Sequence, residues 1–372
     1  MTAVAVIGLG TMGLGIAQVF AAAGYTVLAT DSHEPARANA LDRIATSLAP
    51  RVEAGKLSSI DRDAIRSRVQ IVDGPEAMGQ AALAIEAVIE QLPAKQSLFA
   101  ALEQVMAPDA ILATNTSSLS VAAIAQGLKH PDRIIGLHFF NPAPAMKLVE
   151  LVAHPGTAPR ALDTARALMQ PTGKTVIDCP DRPGFIVNRC ARPFYGEALA
   201  LMEEGRTPAE IDAAMVQAGY RLGPFSLIDL IGADINLAAT EGLNRAMDGH
   251  PRYHVFDALR AQVASGTLGR KTGRGFVHPD PLPPAPQDAP AIVLRIEATL
   301  ANEAAWLLAE GGTTRDGIDT ALKLGLNLPR GPFDCLQAHG PATIAAELAR
   351  LEQAAPPHLK TRYLPPPDGL TA

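Results

Sequence analysis

The sequence contains little cysteine and no excess of positive charge. Its 372 residues include three cysteines, Cys179, Cys190 and Cys335, whose number and spacing indicate neither a disulfide framework nor a metal site. The formal net charge is −6, and basic residues are interspersed with acidic ones, which argues against a nucleic-acid partner. Cys179 could be a reactive thiol, but a small buried cysteine is the more common interpretation.

Charged side chains are also absent from the first 30 residues, because no Asp, Glu, Lys, Arg or His precedes Asp31. A secretory signal needs positive charge before its apolar stretch, and this segment has none. A membrane-spanning helix needs about 20 continuous apolar residues, whereas glycines interrupt this run repeatedly. We therefore expect a cytoplasmic protein without a membrane partner.

The same segment matches the pattern of a dinucleotide-binding turn. VAVI predicts a buried strand, LGIAQVFAAAG a helix and YTVLATD a second strand. Between the first two lie Gly8, Gly10 and Gly13 in the spacing G-x-G-x-x-G, which permits a tight turn and a close approach of pyrophosphate to a helix N-terminus. Asp31 can bind a ribose 2′-hydroxyl and would repel a 2′-phosphate, which favours NAD over NADP. FAD binding, or glycines that serve packing alone, are the alternatives.

Short apolar runs then alternate with helical segments up to about residue 139, in VQIVD, ALAIEAVI, AILATNT and RIIGLHFF. This rhythm predicts an α/β fold with a Rossmann-type doubly wound sheet. Ligands of such sheets bind at the carboxyl ends of the strands. Glu90, Asn115, Ser117 and His138 are expected at such ends, and Lys95 near the start of the following helix.

His138 is the candidate general base. A histidine within GLHFF is usually a hydrogen-bonded core residue, but MKLVELV predicts a strand running back that brings Glu150 close to it. A buried carboxylate fixes the imidazole tautomer and stabilises the imidazolium. Glu150 could instead be a solvated strand residue. Ser117 could bind the reacting oxygen, and Ser118 or Ser120 could cap the next helix.

The alternation of strands and helices stops near residue 183, and the rest of the chain is predicted to be helical. We expect four segments: a dinucleotide-binding domain (1–183), a helical substrate and dimerisation-type domain (184–278), a proline-rich linker (279–290) and a second, degenerate helical repeat (291–372). In this repeat AIVLRIEATLANEAAWLLAEG echoes FIVNRCARPFYGEALALMEEG, with Glu303 matching Glu197. Leu294 stands at the position of Asn188, which predicts a structural copy without its own active site.

Six motifs together resemble the NAD-dependent L-3-hydroxyacyl-CoA (3-hydroxybutyryl-CoA) dehydrogenases over about residues 4–277: IGLGTMGLGIA, NTSSLS, GLHFFNPAPAMKLVELV, GFIVNRCARPFYGEALALMEEG, GPFSLIDLIGAD and GRKTGRGF. The resemblance implies a catalytic set of Ser117, His138, Glu150 and Asn188. It implies NAD contacts from Gly8, Gly10, Thr11, Met12, Gly13, Asp31, Glu90, Lys95 and Asn115. The implied acyl-CoA substrate would contact Ser117, Lys56, Asn141 and Asn188.

The implied reaction is the reversible oxidation of L-3-hydroxyacyl-CoA to 3-oxoacyl-CoA, in fatty-acid β-oxidation or related acyl-CoA metabolism. His138 takes the hydroxyl proton, and Asn188 hydrogen-bonds near the thioester carbonyl, although Asn188 could also be a helix N-cap. The helical repeats are expected to pair within one chain as a pseudo-twofold dimer, and the whole chain could also form a homodimer.

Three alternatives stay open. The chain could oxidise a non-CoA hydroxy acid of the sugar-acid or carnitine type, or be a non-enzymatic, crystallin-like structural protein. It could also be one component of a fatty-acid oxidation complex, with a separate hydratase.

Overall fold

The computed structural model describes residues 2–370, which divide into two compact units with the boundary between Arg182 and Pro183. The first unit is built on a mostly parallel sheet and the second is helical. No helix within residues 2–370 is both long and apolar enough to cross a membrane.

One eight-stranded sheet organises the first unit, in the order β3-β2-β1-β4-β5-β6-β7-β8. The strand bounds are β1 Ala3–Ile7, β2 Thr26–Thr30, β3 Val69–Ile71, β4 Ala81–Glu86, β5 Ile111–Thr114, β6 Ile134–Phe139, β7 Leu148–Ala153 and β8 Thr175–Pro180. All neighbours pair in parallel except β6 and β7, which are antiparallel. The central strands are mostly apolar, as expected where helices cover both faces of a parallel sheet, and β1 is buried at every position.

The described residues of this unit form seven α-helices: α1 Thr11–Ala22, α2 Glu34–Ala38, α3 Ala40–Glu53, α4 Ser59–Ser67, α5 Leu92–Val105, α6 Val121–Ala125 and α7 Pro159–Met169. Helix α1 ends where the sequence predicts, because Gly24 adopts a left-handed φ of 95° just beyond it. The segment from Glu34 to Glu53 forms a pair of helices rather than one. The sheet and these helices give the predicted α/β architecture.

Two features of the sheet differ from the sequence prediction. Strand β4 ends at Glu86, so Glu90 does not lie at the carboxyl end of a strand as expected but in the loop before α5. The ladder stops there because the Glu86 carboxylate accepts the Val88 N–H at 2.7 Å and turns the chain. Strand β8 was not predicted, because its residues alternate too little to stand out at the sheet edge.

In the second unit, the residues that the structure describes form ten α-helices: α8 Val187–Cys190, α9 Arg192–Glu203, α10 Pro208–Gln217, α11 Pro224–Ile231, α12 Ala233–Ala246, α13 Asp257–Ala264, α14 Ala289–Ala309, α15 Arg315–Leu326, α16 Pro332–His339 and α17 Pro341–Ala354. Helix α14 packs against α9, α10, α16 and α17. It begins at Ala289, so the predicted linker 279–290 is two residues too long at its end. Proline in the first turn starts a helix rather than preventing it, which explains the error at Pro290.

All three cysteines are buried side chains of these two units. Cys179 lies in β8 with 2% of its surface exposed. This placement fits the interpretation of Cys179 as a small core residue.

Candidate active site

The glycine-rich turn connects β1 to α1. Gly8 has a φ of 98°, and a Cβ there would lie 2.5 Å from the carbonyl oxygen of Ala87. A Cβ on Gly13 would lie 1.7 Å from the carbonyl oxygen of Gly8. Packing of the turn against α1 and β4 therefore requires glycine at both positions.

At Gly10, no steric contact within the protein requires glycine. No atom lies within 4 Å of where its Cβ would be, and its φ of −66° is accessible to any residue. No side chain caps α1, so the backbone N–H groups at Thr11 and Met12 begin the helix beside open space. An exposed helix N-terminus next to an uncrowded glycine is what a pyrophosphate requires. These residues fit a dinucleotide.

Asp31 is held beside this turn, directly after β2. Its carboxylate accepts the N–H of Leu9 at 2.6 Å through Oδ2 and the N–H of His33 at 2.8 Å through Oδ1. A carboxylate has about four acceptor sites, so these bonds fix its orientation and leave capacity for ribose hydroxyls. Arg43 donates to the carbonyl of Leu9 at 2.8 Å and supports the same turn.

A buried ion pair that the sequence pattern does not reveal lies at the end of β4. Glu86 is 1% exposed, and its Oε1 accepts from Lys95 Nζ at 2.6 Å. Its Oε2 accepts from the hydroxyl of Thr114, the last residue of β5, at 2.7 Å. The sequence does carry a signal for this strand end, because a carboxylate closes the apolar run ALAIE. The predicted strand, ALAIEAVI, continues past it.

Glu90 anchors the loop that carries Ser117. Its Oε1 accepts from the hydroxyls of Thr116 and Ser118 and from the N–H of Ser117 at 3.2 Å, and its Oε2 lies 3.1 Å from Lys95 Nζ. Burial raises the pKa of the Glu90 carboxyl, but the Thr116 hydrogen bond and the Lys95 charge outweigh it and lower that pKa overall. Glu90 is thus an ionised acceptor that shapes this loop.

Asn115 joins the ends of β5 and β6. Its side-chain Oδ1 accepts the N–H of Phe139 at 2.8 Å. Beyond it, Ser120 caps α6 by accepting the N–H of Ala123 at 3.2 Å. Ser120, and not Ser118, is therefore the cap of this helix, and Ser117 lies exposed in the loop between the two elements.

His138 and Glu150 face each other across the antiparallel pair β6 and β7. Directly opposite side chains are close on one face of such a pair, and here Nδ1 of His138 lies 2.6 Å from Oε2 of Glu150. The histidine is 6% exposed and the glutamate is fully buried. We assign the Nδ1 proton to this hydrogen bond because the carboxylate can only accept, which makes Nε2 the basic nitrogen.

Asn188 belongs to the second unit, where it is the second residue of α8 and half-buried. The alternative that it caps this helix is wrong, because Ile186 occupies the N-cap position. The chain enters α8 through two left-handed residues, Gly184 with φ 75° and Phe185 with φ 50°. These two conformations set the start of the helix ahead of Asn188.

The two remaining predicted substrate residues lie in different surroundings in the first unit. Asn141 lines a cleft of about 600 Å³ together with Thr11, Gln18, Arg43, Ser47 and Arg51. Lys56 is exposed in the turn between α3 and α4 and is not among the residues that line this cleft. The structure thus brings Asn141, but not Lys56, to a concave surface beside the glycine-rich turn.

Family models match almost the whole chain. The NAD-binding domain of 3-hydroxyacyl-CoA dehydrogenase matches residues 3–182. The C-terminal domain of 3-hydroxyacyl-CoA dehydrogenase matches residues 184–278 and also residues 292–367.

Named relatives and solved structures agree with these models. The chain is 44% identical over 274 residues to the 3-hydroxyadipyl-CoA dehydrogenase of Escherichia coli K12, an alignment that covers 73% of this chain but only 58% of that protein. It is 38% identical over 281 residues to the human mitochondrial hydroxyacyl-coenzyme A dehydrogenase, covering 73% of this chain and 90% of that one. The solved structure of 3-hydroxybutyryl-CoA dehydrogenase from Escherichia coli K12 matches with a TM-score of 0.89 and 33% identity, over 98% of this chain and 96% of that chain.

A dinucleotide-binding turn with an acidic residue beside it at the end of β2, and a buried histidine–glutamate pair in the same sheet, define an NAD-dependent dehydrogenase. The chain belongs to the 3-hydroxyacyl-CoA dehydrogenase family. The predicted family, fold class, enzyme class and cofactor are confirmed. The family match favours the acyl-CoA dehydrogenase over the sugar-acid, carnitine and crystallin-like alternatives.

Proposed function

We propose that the chain catalyses the reversible oxidation of L-3-hydroxyacyl-CoA to 3-oxoacyl-CoA in β-oxidation or related acyl-CoA metabolism, with His138 as the general base. The observation that carries this proposal is the buried contact of 2.6 Å between Nδ1 of His138 and the carboxylate of Glu150. When bound, NAD supplies the hydride acceptor. His138 and Glu150 account for the proton and for the charge that develops on the imidazole.

In the direction of oxidation, Nε2 of His138 takes the proton of the 3-hydroxyl group. The oxygen's electron pair forms the C=O bond as the C3–H bond breaks and its hydride leaves. The imidazole becomes imidazolium, and Glu150 stabilises that charge through Nδ1–H. In the reverse direction the same imidazolium returns the proton to the oxygen.

Ser117 and Asn188 complete the proposed catalytic set. The Ser117 hydroxyl donates to the reacting oxygen, and Glu90 supports this role because it fixes the loop on which Ser117 lies. The amide of Asn188 donates to the thioester carbonyl and so holds C3 of the substrate in place for hydride transfer. Both donors act by position, without changing their own protonation.

Cofactor contacts are proposed for the residues of the dinucleotide turn and the strand ends: Gly8, Gly10, Thr11, Met12, Gly13, Asp31, Glu90, Lys95 and Asn115. The free space at Gly10 supports the pyrophosphate position. For the substrate we propose contacts from Asn141, because it lines the cleft, and from Lys56, because an exposed ammonium suits the phosphates of CoA.

We also propose that residues 291–372 are a structural copy of residues 184–278 that pairs with them about a pseudo-twofold axis. Reciprocal ion pairs support this arrangement. Arg189 Nε lies 2.7 Å from Glu303 Oε1, and Arg295 Nε lies 2.7 Å from Glu197 Oε1. Each arginine thus reaches the glutamate of the other segment, as symmetry-related residues do in a twofold interface.

The first experiment is NADH oxidation at neutral pH with acetoacetyl-CoA, compared with NADPH and with free acetoacetate. Turnover that needs both NADH and the CoA thioester is the expected result. Turnover of free acetoacetate but not of acetoacetyl-CoA or longer 3-oxoacyl-CoAs would contradict the proposal and support the non-CoA alternative. Turnover of none of them despite NADH binding would also contradict it.

A further inference from the structure

Arg189, the residue after Asn188, is held by residues 291–372, the second helical segment. Residues 184–278 are the first helical segment. Its side chain is fully buried. Nε donates to Glu303 at 2.7 Å, and Nη1 and Nη2 each donate to Glu310 at 2.7 Å in a bidentate contact. Burial alone would lower the pKa of Arg189, but Glu303 and Glu310 outweigh it and raise that pKa. The guanidinium is therefore fixed as a cation by two carboxylates distant in sequence.

Arg295 makes the matching contacts in the opposite direction. Its Nε donates to Glu197 at 2.7 Å, and its Nη1 and Nη2 donate to Glu204 at 2.6 and 2.7 Å. The residue before Arg295 is Leu294, which has no polar group to offer a substrate. Each arginine with its two glutamates forms an arginine clamp. The two clamps have the same chemistry, but the residue before the arginine differs.

The backbones at the two clamps differ as well. Arg295 lies inside α14, a continuous helix of 21 residues. Arg189 lies in α8, which has four residues and follows the left-handed pair Gly184 and Phe185. Only Ala191, itself in helical conformation, separates α8 from α9, so Arg189 lies in the first helical turn after the two left-handed residues. The first turn of a helix has fewer backbone hydrogen bonds than the interior of a helix such as α14, so side-chain contacts matter more for its position.

We propose that Glu303 and Glu310 are positioning residues of the dehydrogenase, which hold Arg189, and with it α8, so that the amide of Asn188 is presented to the substrate. This inference rests on the proposed role of Asn188. Arg192 supports it from the first helical segment, because its Nε donates to the carbonyl of Asn188 at 3.0 Å. In this view the second helical segment, which has no active-site residue of its own, contributes to catalysis through Arg189.

The physical basis is the cost of an unpaired buried cation. If Glu303 loses its charge, the fully buried Arg189 side chain keeps only part of its charge compensation, and it shifts toward Glu310 or solvent. Arg189 and Asn188 are consecutive in a single turn of helix, so that shift moves the Asn188 amide. A misplacement of about 1 Å can lower a rate by about 100-fold.

The test compares Glu303→Gln with Glu197→Gln, which is a matched control. Both glutamates are fully buried. Each also accepts from a tyrosine hydroxyl, Tyr253 at 2.6 Å for Glu303 and Tyr363 at 3.1 Å for Glu197. We expect E303Q to lower kcat for acetoacetyl-CoA reduction by about tenfold or more with unchanged NADH affinity. E197Q should lose similar thermal stability but keep the wild-type kcat.

A double-mutant cycle separates positioning from general destabilisation. Asn188→Ala should lower kcat, and adding E303Q to it should lower kcat no further, because Glu303 acts through Asn188. Equal losses of kcat in E303Q and E197Q, or a loss in E303Q that adds fully to that of N188A, would overturn the inference and leave the proposed reaction intact. A wild-type kcat in N188A would refute the role of Asn188 and the inference with it. Absence of wild-type turnover would instead refute the proposed function.

A second pair of variants, at more exposed glutamates, tests the inference if E303Q does not fold. Glu310 and Glu204 are partly exposed side chains, at 33% and 57%. Glu310→Gln should lower kcat by a smaller factor than E303Q, and Glu204→Gln should leave it unchanged. A wild-type kcat in E310Q, measured with folded protein, would count against the inference.

Discussion

Each compact unit contains a buried glutamate in contact with a histidine. In the sheet unit, Glu150 lies 2.6 Å from Nδ1 of His138. In the helical unit, Glu297 of α14 lies 2.5 Å from Nε2 of His339, at the end of α16. Both glutamates are fully buried, so neither the distance nor the burial of the glutamate distinguishes the two pairs.

The surroundings of the two pairs differ. Oε1 of Glu297 also accepts from Arg330 at 2.7 Å and from the hydroxyl of Tyr220 at 2.8 Å. The Arg330 guanidinium therefore compensates the carboxylate charge without any contribution from His339. His138, in contrast, lies at the carboxyl end of β6, where open α/β sheets bind their ligands. A histidine–glutamate pair is therefore a candidate general base only where it lies at a position at which a substrate can bind.

The largest expected difference between the pairs is in catalysis. His138→Ala removes the proposed base, and we expect kcat to fall by about 10²- to 10⁴-fold. His339→Ala should leave kcat unchanged, because Arg330 still compensates Glu297. Steady-state assays with acetoacetyl-CoA and NADH measure both. Equal losses of kcat in the two variants would contradict the view that only the His138–Glu150 pair acts in catalysis.

Neutralising the glutamates should separate activity from stability. Glu150→Gln keeps a hydrogen-bond acceptor but no charge to stabilise the imidazolium, so kcat should fall by about 100-fold. Glu297→Gln should keep kcat and lower the free energy of unfolding by about 1–3 kcal/mol, because Arg330 and His339 lose their anionic partner. Urea unfolding of both variants is the measurement. A catalytic defect in E297Q at full folding would show that the helical pair also acts on the substrate.

A smaller effect is expected at Tyr220. Tyr220→Phe removes one hydroxyl donor to Glu297 and should cost about 1 kcal/mol of unfolding free energy, with no change in kcat. In the same assay, His339→Ala gives the unfolding free energy lost when a partner is removed from Oε2, the other carboxylate oxygen of Glu297. A Tyr220→Phe protein with wild-type stability would mean that Arg330 alone satisfies Glu297.

The smallest expected signal concerns Cys335, which is buried next to this cluster. Burial raises the pKa of the Cys335 thiol, and the negative charge of Glu297 raises it further. The thiolate is therefore disfavoured at neutral pH, although a histidine and a carboxylate are in the same cluster. Iodoacetamide should not label Cys335 in the native protein and should label it after denaturation. Native labelling would show that the cluster activates a nucleophile.

Much of the sheet and its site was predictable because local patterns determine it. The glycine spacing and Asp31 predicted the cofactor turn, and the strand MKLVELV, running antiparallel to GLHFF, predicted the contact of Glu150 with His138. The errors arose where strand ends are not visible in sequence. Glu86 was overlooked because ALAIEAVI reads as one apolar run, although a side-chain hydrogen bond to Val88 ends the strand earlier.

The helical unit was less predictable because its decisive contacts join residues far apart in the chain. The sequence echo of Glu197 in Glu303 was detectable. The bond from Arg189 to Glu303 spans 114 positions, and no local periodicity indicates such a pairing. The sequence suggests Asn188 as a helix cap because the pair Gly184 and Phe185, which starts α8 before it, has no clear signature: a left-handed phenylalanine is rare.

The reciprocal arginine clamps have a consequence for how such a protein can change over generations. In a homodimer, one gene encodes both halves, so every substitution appears twice and a residue needed in one subunit is retained in the other. When both halves lie in one reading frame, each can drift separately. Leu294 opposite Asn188, and Glu297 where the first segment has Ala191, are the kinds of difference that such separate inheritance permits.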